Sequence, residues 1–338
     1  MTMTKSRLTK IVAGVLIAAS IIAGGVAVWG VSAVSAPGPL RSSTTVVVVR
    51  GAGLNVIAHQ LAAKRVIEHP ALFAVTAWLR GAQHKLRAGE YVFEERVSIE
   101  RALDILLQGK TVVRRVTVAE GLTSKQVLDL LAKAEGLKGE VETEPAEGAL
   151  LPNTYHFSLG DTRQAILDRM TQAMTATVTE LWEARSPNLP IQTIEEAVIL
   201  ASIVEKETAV PSERGRVAAV FVNRLRKGMR MESDPTVIYG LTNGSGPLGR
   251  RLSRKDLKRD SPYNTYRIKR LPPGPIANPG RDSLAAVMNP IESDELYFVA
   301  DGTGGHAFAK TLKEHNRNVA RWRKFRREQK RKQRRSGG

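Results

Sequence analysis

Glu205-Lys206-Glu207 is the place in this sequence where residue types and spacing suit acid–base chemistry. It stands at the end of Ala197 to Val204, a run that is apolar on every side except Ser202. A helix apolar all round is buried. Thr193 followed by Glu196 forms the capping box that would start it. The three- and four-residue spacing puts Glu205 on one face with Val198, Ala201 and Ser202. A carboxyl carried by a core helix is partly desolvated, which favours the protonated form a general acid uses near neutral pH. Glu207 lies two positions on, points elsewhere and is expected to be solvated. A Glu-Lys-Glu run is also what a solvated helix end looks like, so spacing alone leaves both readings open.

Further groups surround this run. Pro211 and Gly228 mark the first turn of a second helix and the position just past its end. Its apolar stripe is Val217, Val220, Phe221 and Leu225, with Asn223 and Arg224 at the edge, where they would face a cleft. A loop from Met229 to Asp234 then leads into Pro235 to Gly240. Tyr263 and Tyr266 offer flat faces and hydroxyls of the kind that pack on sugars; half-buried core tyrosines are the other reading.

Several stretches together resemble the endolytic murein transglycosylase (YceG-like) family. They are Ala201-Ser202-Ile203-Val204-Glu205-Lys206-Glu207-Thr208, Ser212-Glu213-Arg214, Val220-Phe221-Val222-Asn223-Arg224-Leu225 and Asp234-Pro235-Thr236-Val237-Ile238-Tyr239-Gly240. Ser261 to Tyr266 and Leu271 to Gly280 continue the match, as does Glu147 to Tyr155 with two departures: Leu151 for Phe and Asn153 for Asp. The resemblance implies that Glu205 is the catalytic acid. It implies cleavage of peptidoglycan strands between N-acetylmuramic acid and N-acetylglucosamine, with attack by the muramic 6-hydroxyl closing a 1,6-anhydro ring. One carboxylate then suffices, where ordinary glycosidases need two. Asn223, Arg224, Asp234, Thr236, Tyr263, Asn264 and Tyr266 are the expected substrate-binding set. Glu232 stands where the family often has Gln and is a second carboxylate for the site, or a solvated neighbour of an Asp234 that caps the loop.

The elements that must carry these residues come after a long apolar segment. Ile11 to Val34 holds no charge and is long enough to span a bilayer. Lys5, Arg7 and Lys10 precede it and favour a cytoplasmic N-terminus; a cleaved signal peptide ending near Ala36 is the rival. The expected division is a cytoplasmic N-terminus at 1–10, a transmembrane helix at 11–34, a linker at 35–43, a LysM-like module at 44–113, a catalytic domain at 114–318 and a basic tail at 319–338. Thr44 to Val49, Leu86 to Phe93, Arg115 to Ala119 and Leu296 to Val299 read as strands or turns into strands. Leu54 to Ile67, Ser98 to Leu107, Thr123 to Leu131 and Thr162 to Arg185 read as helices. The fold class is α+β after one transmembrane helix, with the LysM-like label coming from the resemblance.

Composition narrows the function. The net charge of +18 calls for an anionic partner, though much of the excess lies in the basic end, which reads as a solvated or disordered tail. No zinc-finger or RNA-stacking motif accompanies it, so nucleic acid is not an expected partner. The sequence has no cysteine and six scattered histidines, and no His-Glu-x-x-His occurs, so neither metal nor other cofactor is expected. The expected partners are peptidoglycan strands, the membrane and the synthases that make the strands. The expected location is the bacterial cytoplasmic membrane with the catalytic part outside the cytoplasm. A membrane scaffold that binds peptidoglycan or its synthases without cutting is the alternative.

Overall fold

The computed structural model describes residues 5–49 and 51–336, so the expectations for residues 1–4 and 337–338 lie outside it. The chain divides into two compact units, Met1–Arg114 and Arg115–Gly338.

The first unit opens with helix α1, Lys5–Ser35. Within it, Val12–Ser35 is long and apolar enough to cross a membrane, a test that a signal sequence near an N-terminus also passes. Strand β1 (Thr44–Val48) then pairs antiparallel with β2 (Gly89–Phe93). Helices α2 (Leu54–Ala63) and α3 (Pro70–Leu79) connect them. The helix expected to run to Ile67 stops early because Arg65 takes a left-handed backbone, φ 56°. α3 was not foreseen: ten residues without an apolar–polar alternation carry no amphipathic signal. Helix α4 (Ile99–Gln108) is capped by Ser98, whose Oγ accepts from the Arg101 amide, and ends at a left-handed Gly109. Tyr91, Phe93, Phe73, Leu103 and Leu106 close this unit's core.

The second unit begins with β3 (Arg114–Thr117), which pairs with β4 (Thr154–Phe157). Between them α5 (Ser124–Ala132) starts at a full capping box of Thr123 and Gln126. Helix α6 (Arg163–Glu183) packs its Ile166, Leu167 and Met170 on this layer and its Met174, Val178 and Leu181 on the next. Helix α7 (Ile194–Glu207) is the centre of that next layer. Ala197 to Val204 are all buried, and Ser202 is satisfied by donating to Ile199 O and accepting from the Ile276 amide. Its capping differs in detail from the expected box: Thr193 accepts from the Glu196 amide, while Glu196 accepts from the Gln192 amide.

A single 3₁₀ turn at Pro211–Glu213 leads into α8 (Arg214–Arg226), and Gly228 comes just after it with φ 63°. Asp234–Thr242 forms helix α9, where the sequence suggested only a loop running into Pro235 to Gly240. Helices α10 (Arg254–Lys258) and α11 (Arg281–Met288) come next, and α11 packs on both α7 and α8. A hairpin of β5 (Tyr297–Ala300) and β6 (His306–Ala309) precedes α12 (Leu312–Ser336). The basic stretch as far as Ser336 continues this helix. Its apolar residues explain this: Trp322 and Phe325 stack at 5.9 Å, and Phe325 lies against Gly302 of the hairpin turn.

Of the two departures in the 147–155 stretch, Leu151 is buried in the α7 core, and Asn153 accepts from the Thr154 amide at 2.7 Å. Gly148 has φ 78°, and a Cβ there would lie 2.7 Å from Pro275 Cγ and 3.0 Å from Val198 Cγ1. Neither neighbour is a flexible chain end. Gly148→Ala is expected to lower stability by about 1–3 kcal/mol, read as a lower denaturant midpoint with an unchanged m-value.

Candidate active site

The last turn of α7 sends three ionisable side chains in three directions. Glu205 turns towards the start of α8. Its Oε2 accepts from the Gly280 amide at 2.9 Å, and its Oε1 lies 3.5 Å from Arg214 Nη2. Arg214 also reaches Glu120 at 3.2 Å and Asp282 at 3.3 Å, so one guanidinium serves three carboxylates. Burial raises the Glu120 carboxyl above its usual range, and the neighbouring Glu205 charge adds to this against Arg214. The Glu205 side chain is 6% exposed, so it is desolvated, but it sits against a cation that spacing did not reveal. Lys206 donates to Gly121 O at 3.1 Å.

Glu207 corrects the expectation of a solvated carboxylate. It is half-buried, and its Oε1 accepts from Ser233 Oγ at 2.5 Å. Burial pushes its carboxyl up to about 7; the Asp234 charge adds to this, while the Ser233 bond, His306 and Arg224 pull the other way. Its place at the C-terminal end of α7 also faces the negative end of the helix dipole, which disfavours a second negative charge. The sequence reading failed here because solvation depends on what the 232–236 turn brings over the helix end.

That turn is built for the contact. Ser233 occupies the N-cap of α9, where a serine hydroxyl ordinarily accepts from the helix's own amides. It makes no such bond; its hydroxyl goes to Glu207. Its backbone is fixed by a buried hydroxyl cluster: the Ser233 amide donates to Thr265 Oγ1 at 3.0 Å, Thr236 donates to Ser233 O at 2.7 Å, and the two threonine hydroxyls meet at 2.8 Å. Glu232, just before it, takes φ 54°, a conformation costly for a non-glycine residue. Such local rule-breaking clusters at functional sites.

The expected site residues separate into two groups. Asp234 is exposed beside Glu207, and Tyr266 donates to its Oδ1 at 2.8 Å. The loop's cap is Ser233 and not Asp234. Tyr263 packs on Tyr239, ring centroids 4.9 Å apart, and Tyr239 in turn donates to Glu147 at 3.2 Å. Glu232 is exposed, 3.4 Å from Arg224. The others face inward. Asn223 donates to Ser293 O and Glu295 O; Arg224 donates to Leu296 O, Arg230 O and Met231 O. Asn264 donates to Leu257 O and Arg259 O, and Thr236 is wholly buried. These four hold backbone in place. Helical position placed Asn223 and Arg224 at the stripe's edge, but the 293–296 segment covers that edge.

Sequence reasoning missed Glu207, Ser233, Thr265 and the hydrogen-bond contact of His306 Nδ1 with Glu213 Oε2, 2.7 Å. The second glutamate of the run was the available signal for Glu207. A cleft of about 640 Å³ opens beside this region, lined by Lys206, Pro235, Ile238, Tyr239, Gly246 and Arg251 among others.

Comparison with known proteins agrees with the fold. The YceG-like family profile matches residues 46–321. The chain is similar to the endolytic murein transglycosylase of Bacillus subtilis, 31% identical over 330 residues that cover 88% of this chain and 90% of that protein. It is also similar to the endolytic murein transglycosylase of Streptococcus pneumoniae, 29% identical over 83% of this chain and 58% of the longer streptococcal protein. A crystal structure of a YceG-like protein from Listeria monocytogenes aligns with a TM-score of 0.51 and 30% identity, covering 82% of this chain and 99% of that one.

Proposed function

The chain belongs to the YceG-like family, and from that premise we propose that it is a membrane-anchored endolytic murein transglycosylase whose proton-carrying group is Glu207. The observation that carries the second half is the setting of that carboxyl: half-buried, held by the Ser233 hydroxyl, pushed up to about 7 by burial, and beside exposed Asp234. Glu205, the acid implied by resemblance, is already engaged by Arg214 and the Gly280 amide. It anchors Arg214 across the helix end from Glu207.

The reaction needs one group that first gives and then takes a proton. Protonated Glu207 gives its proton to the glycosidic oxygen as the bond from that oxygen to the muramic anomeric carbon breaks. The muramic 6-hydroxyl oxygen bonds to the anomeric carbon, and its proton goes to the Glu207 carboxylate. The acid is regenerated, no water is consumed, and the strand ends in 1,6-anhydromuramic acid. The Ser233 hydroxyl fixes one carboxyl oxygen and leaves the other for the substrate. Asp234, held by Tyr266, supplies negative charge near the positive character that grows at the anomeric carbon.

Wild-type digests of glycan strands are expected to carry ends lighter by one water than hydrolytic ends, read by mass spectrometry. Reducing muramic ends would mean a water nucleophile, with Asp234 or Glu232 as its base. Binding of strands without any cutting would favour a non-catalytic scaffold instead.

α1 is the membrane anchor, with Lys5, Arg7 and Lys10 on the cytoplasmic side and the chain after α1 outside. Residues 44–113 form a LysM-like module that touches glycan; the β1-α2-α3-β2 order with paired antiparallel strands supports this. Residues 114–318 carry catalysis, and cutting nascent strands ends their elongation beside the synthases. The full chain is expected to stay with membranes through alkaline washing. A soluble form beginning near Pro37 would show that α1 is a signal sequence.

A further inference from the structure

The first unit carries an apolar surface that the proposed reaction does not use. α3 has no charged residue from Pro70 to Leu79, and its one hydroxyl, on Thr76, donates to Leu72 O at 2.8 Å. A helix apolar on all sides is ordinarily enclosed, yet only one face of α3 is. Phe73 and Ala77 are wholly buried in the unit's core, while Val75, Trp78 and Leu79 are 52%, 65% and 71% exposed. Their spacing of three and four residues places these three on one stripe. A contiguous apolar strip of this kind marks an interaction surface.

Its position indicates what covers it. α3 starts against the C-terminal half of α1: the Trp29 and His69 rings meet edge-on at 5.5 Å, and a Cβ on Gly30 would lie 3.9 Å from Leu72 Cδ1. A groove of about 910 Å³ runs along both helices, lined by Val26, Gly30, Val34, Leu72, Val75 and Leu79 among others. The apolar segment Val12–Ser35 has 24 residues, a length of about 36 Å against a hydrocarbon core of about 30 Å. Its midpoint falls between Ala23 and Gly24. Trp29 and Gly30 therefore lie about 8–10 Å from the bilayer centre, inside the hydrocarbon of one leaflet. A helix docked at that level meets acyl chains and headgroups, not water. The charged residues fall at its two ends: Glu68 before it, and Arg80 after it, paired with Asp104 at 2.9 Å. Trp78 is of the type that concentrates at the membrane boundary.

We propose that α3 is a second membrane contact, its Val75-Trp78-Leu79 stripe inserted into the outer part of the leaflet that holds the C-terminal half of α1. The occupant of the groove is lipid. The inference rests on the reading of α1 as a membrane span. It gives the first unit a fixed height and orientation on the bilayer instead of a free tether.

Full-length protein retaining one tryptophan, with phenylalanine at the other three of Trp29, Trp78, Trp182 and Trp322, tests both ideas separately. The protein is reconstituted in vesicles of phosphatidylethanolamine and phosphatidylglycerol, with nitroxide either high or deep on the acyl chain, and iodide as the aqueous quencher. Trp78 fluorescence is expected to be quenched by the shallow nitroxide more than by the deep one, and to be largely shielded from iodide. Val75→Glu with Leu79→Glu is expected to reverse this, moving Trp78 into iodide's reach. Trp29 reports α1: if lipid nitroxide fails to quench it, the span itself is misread. Trp29 quenched by lipid while Trp78 answers only to iodide overturns the proposal. So does Trp78 shielded from both quenchers with cross-linking of α3 to another polypeptide, which would make the stripe a protein interface.

Discussion

Glu207→Gln is expected to lower turnover of isolated glycan strands by about 10²–10⁴-fold, the usual worth of a positioned proton carrier, while strands still bind. The amide keeps the shape and can accept from Ser233 Oγ, but it cannot give or take the proton. Glu205→Gln is the control on the same helix turn. It weakens the contact with Arg214 but leaves the Glu207–Ser233 pair intact, so activity should stay within about tenfold of wild type. The reverse pattern, with the large loss in Glu205→Gln, would return the acid role to Glu205 and sink the assignment made here.

The same substitution carries a stability signature of known sign. The Glu207 carboxyl is raised from 4.5 to about 7 by folding. Between those values the folded chain binds more protons than the unfolded chain, so this group's contribution falls as pH rises and is fully unfavourable above about 7. Glu207→Gln removes that penalty. The variant should be more stable than wild type at pH 8, by up to about 3 kcal/mol, and the gain should vanish below about pH 4.5. A chemical-denaturation series across pH reads this directly. Activity of the wild type should fall above pH 7 as the acid loses its proton. A flat stability difference would mean that Glu207 is not held protonated.

Arg214→Met should be the most destabilising change in the site. It leaves Glu205, whose side chain is 6% exposed, as a desolvated charge without its cation, and it frees Glu120 and Asp282 to repel it. Breaking a buried pair from one side typically costs about 3–5 kcal/mol. The guanidinium's own position is not ideal, since its Nε is buried without a partner. Restoring neutrality with Glu205→Gln in the Arg214→Met background should recover about 1–3 kcal/mol, the coupling expected of residues in contact. Additive losses would show that the two side chains are energetically independent, and Glu205 would then have no anchoring role.

Local signals locate most of the helices. The starts at Ser98, Thr123, Thr162 and Thr193 are written in capping residues that act within one turn. The burial of Ala197 to Val204 is likewise legible, because only a core accommodates a helix apolar on every side. α3 looks alike in sequence and ends half exposed. An apolar helix needs an apolar environment, but its sequence does not say whether protein or lipid supplies it.

The residue types, the Glu-Lys-Glu run and the resemblance of the central motifs were determined by the sequence alone, because they depend only on chain order. What surrounds each of the two glutamates was decided by tertiary structure. Glu205 and Glu207 are two positions apart on one helix and differ only in the groups brought to them. Arg214, nine residues on, and Gly280 meet the first. Ser233, positioned by Thr265, closes over the second. Desolvation and charge set a carboxyl's protonation, and both come from groups distant along the chain. The same holds for Asn223 and Arg224, which helical position places at an edge and the 293–296 backbone turns into supports.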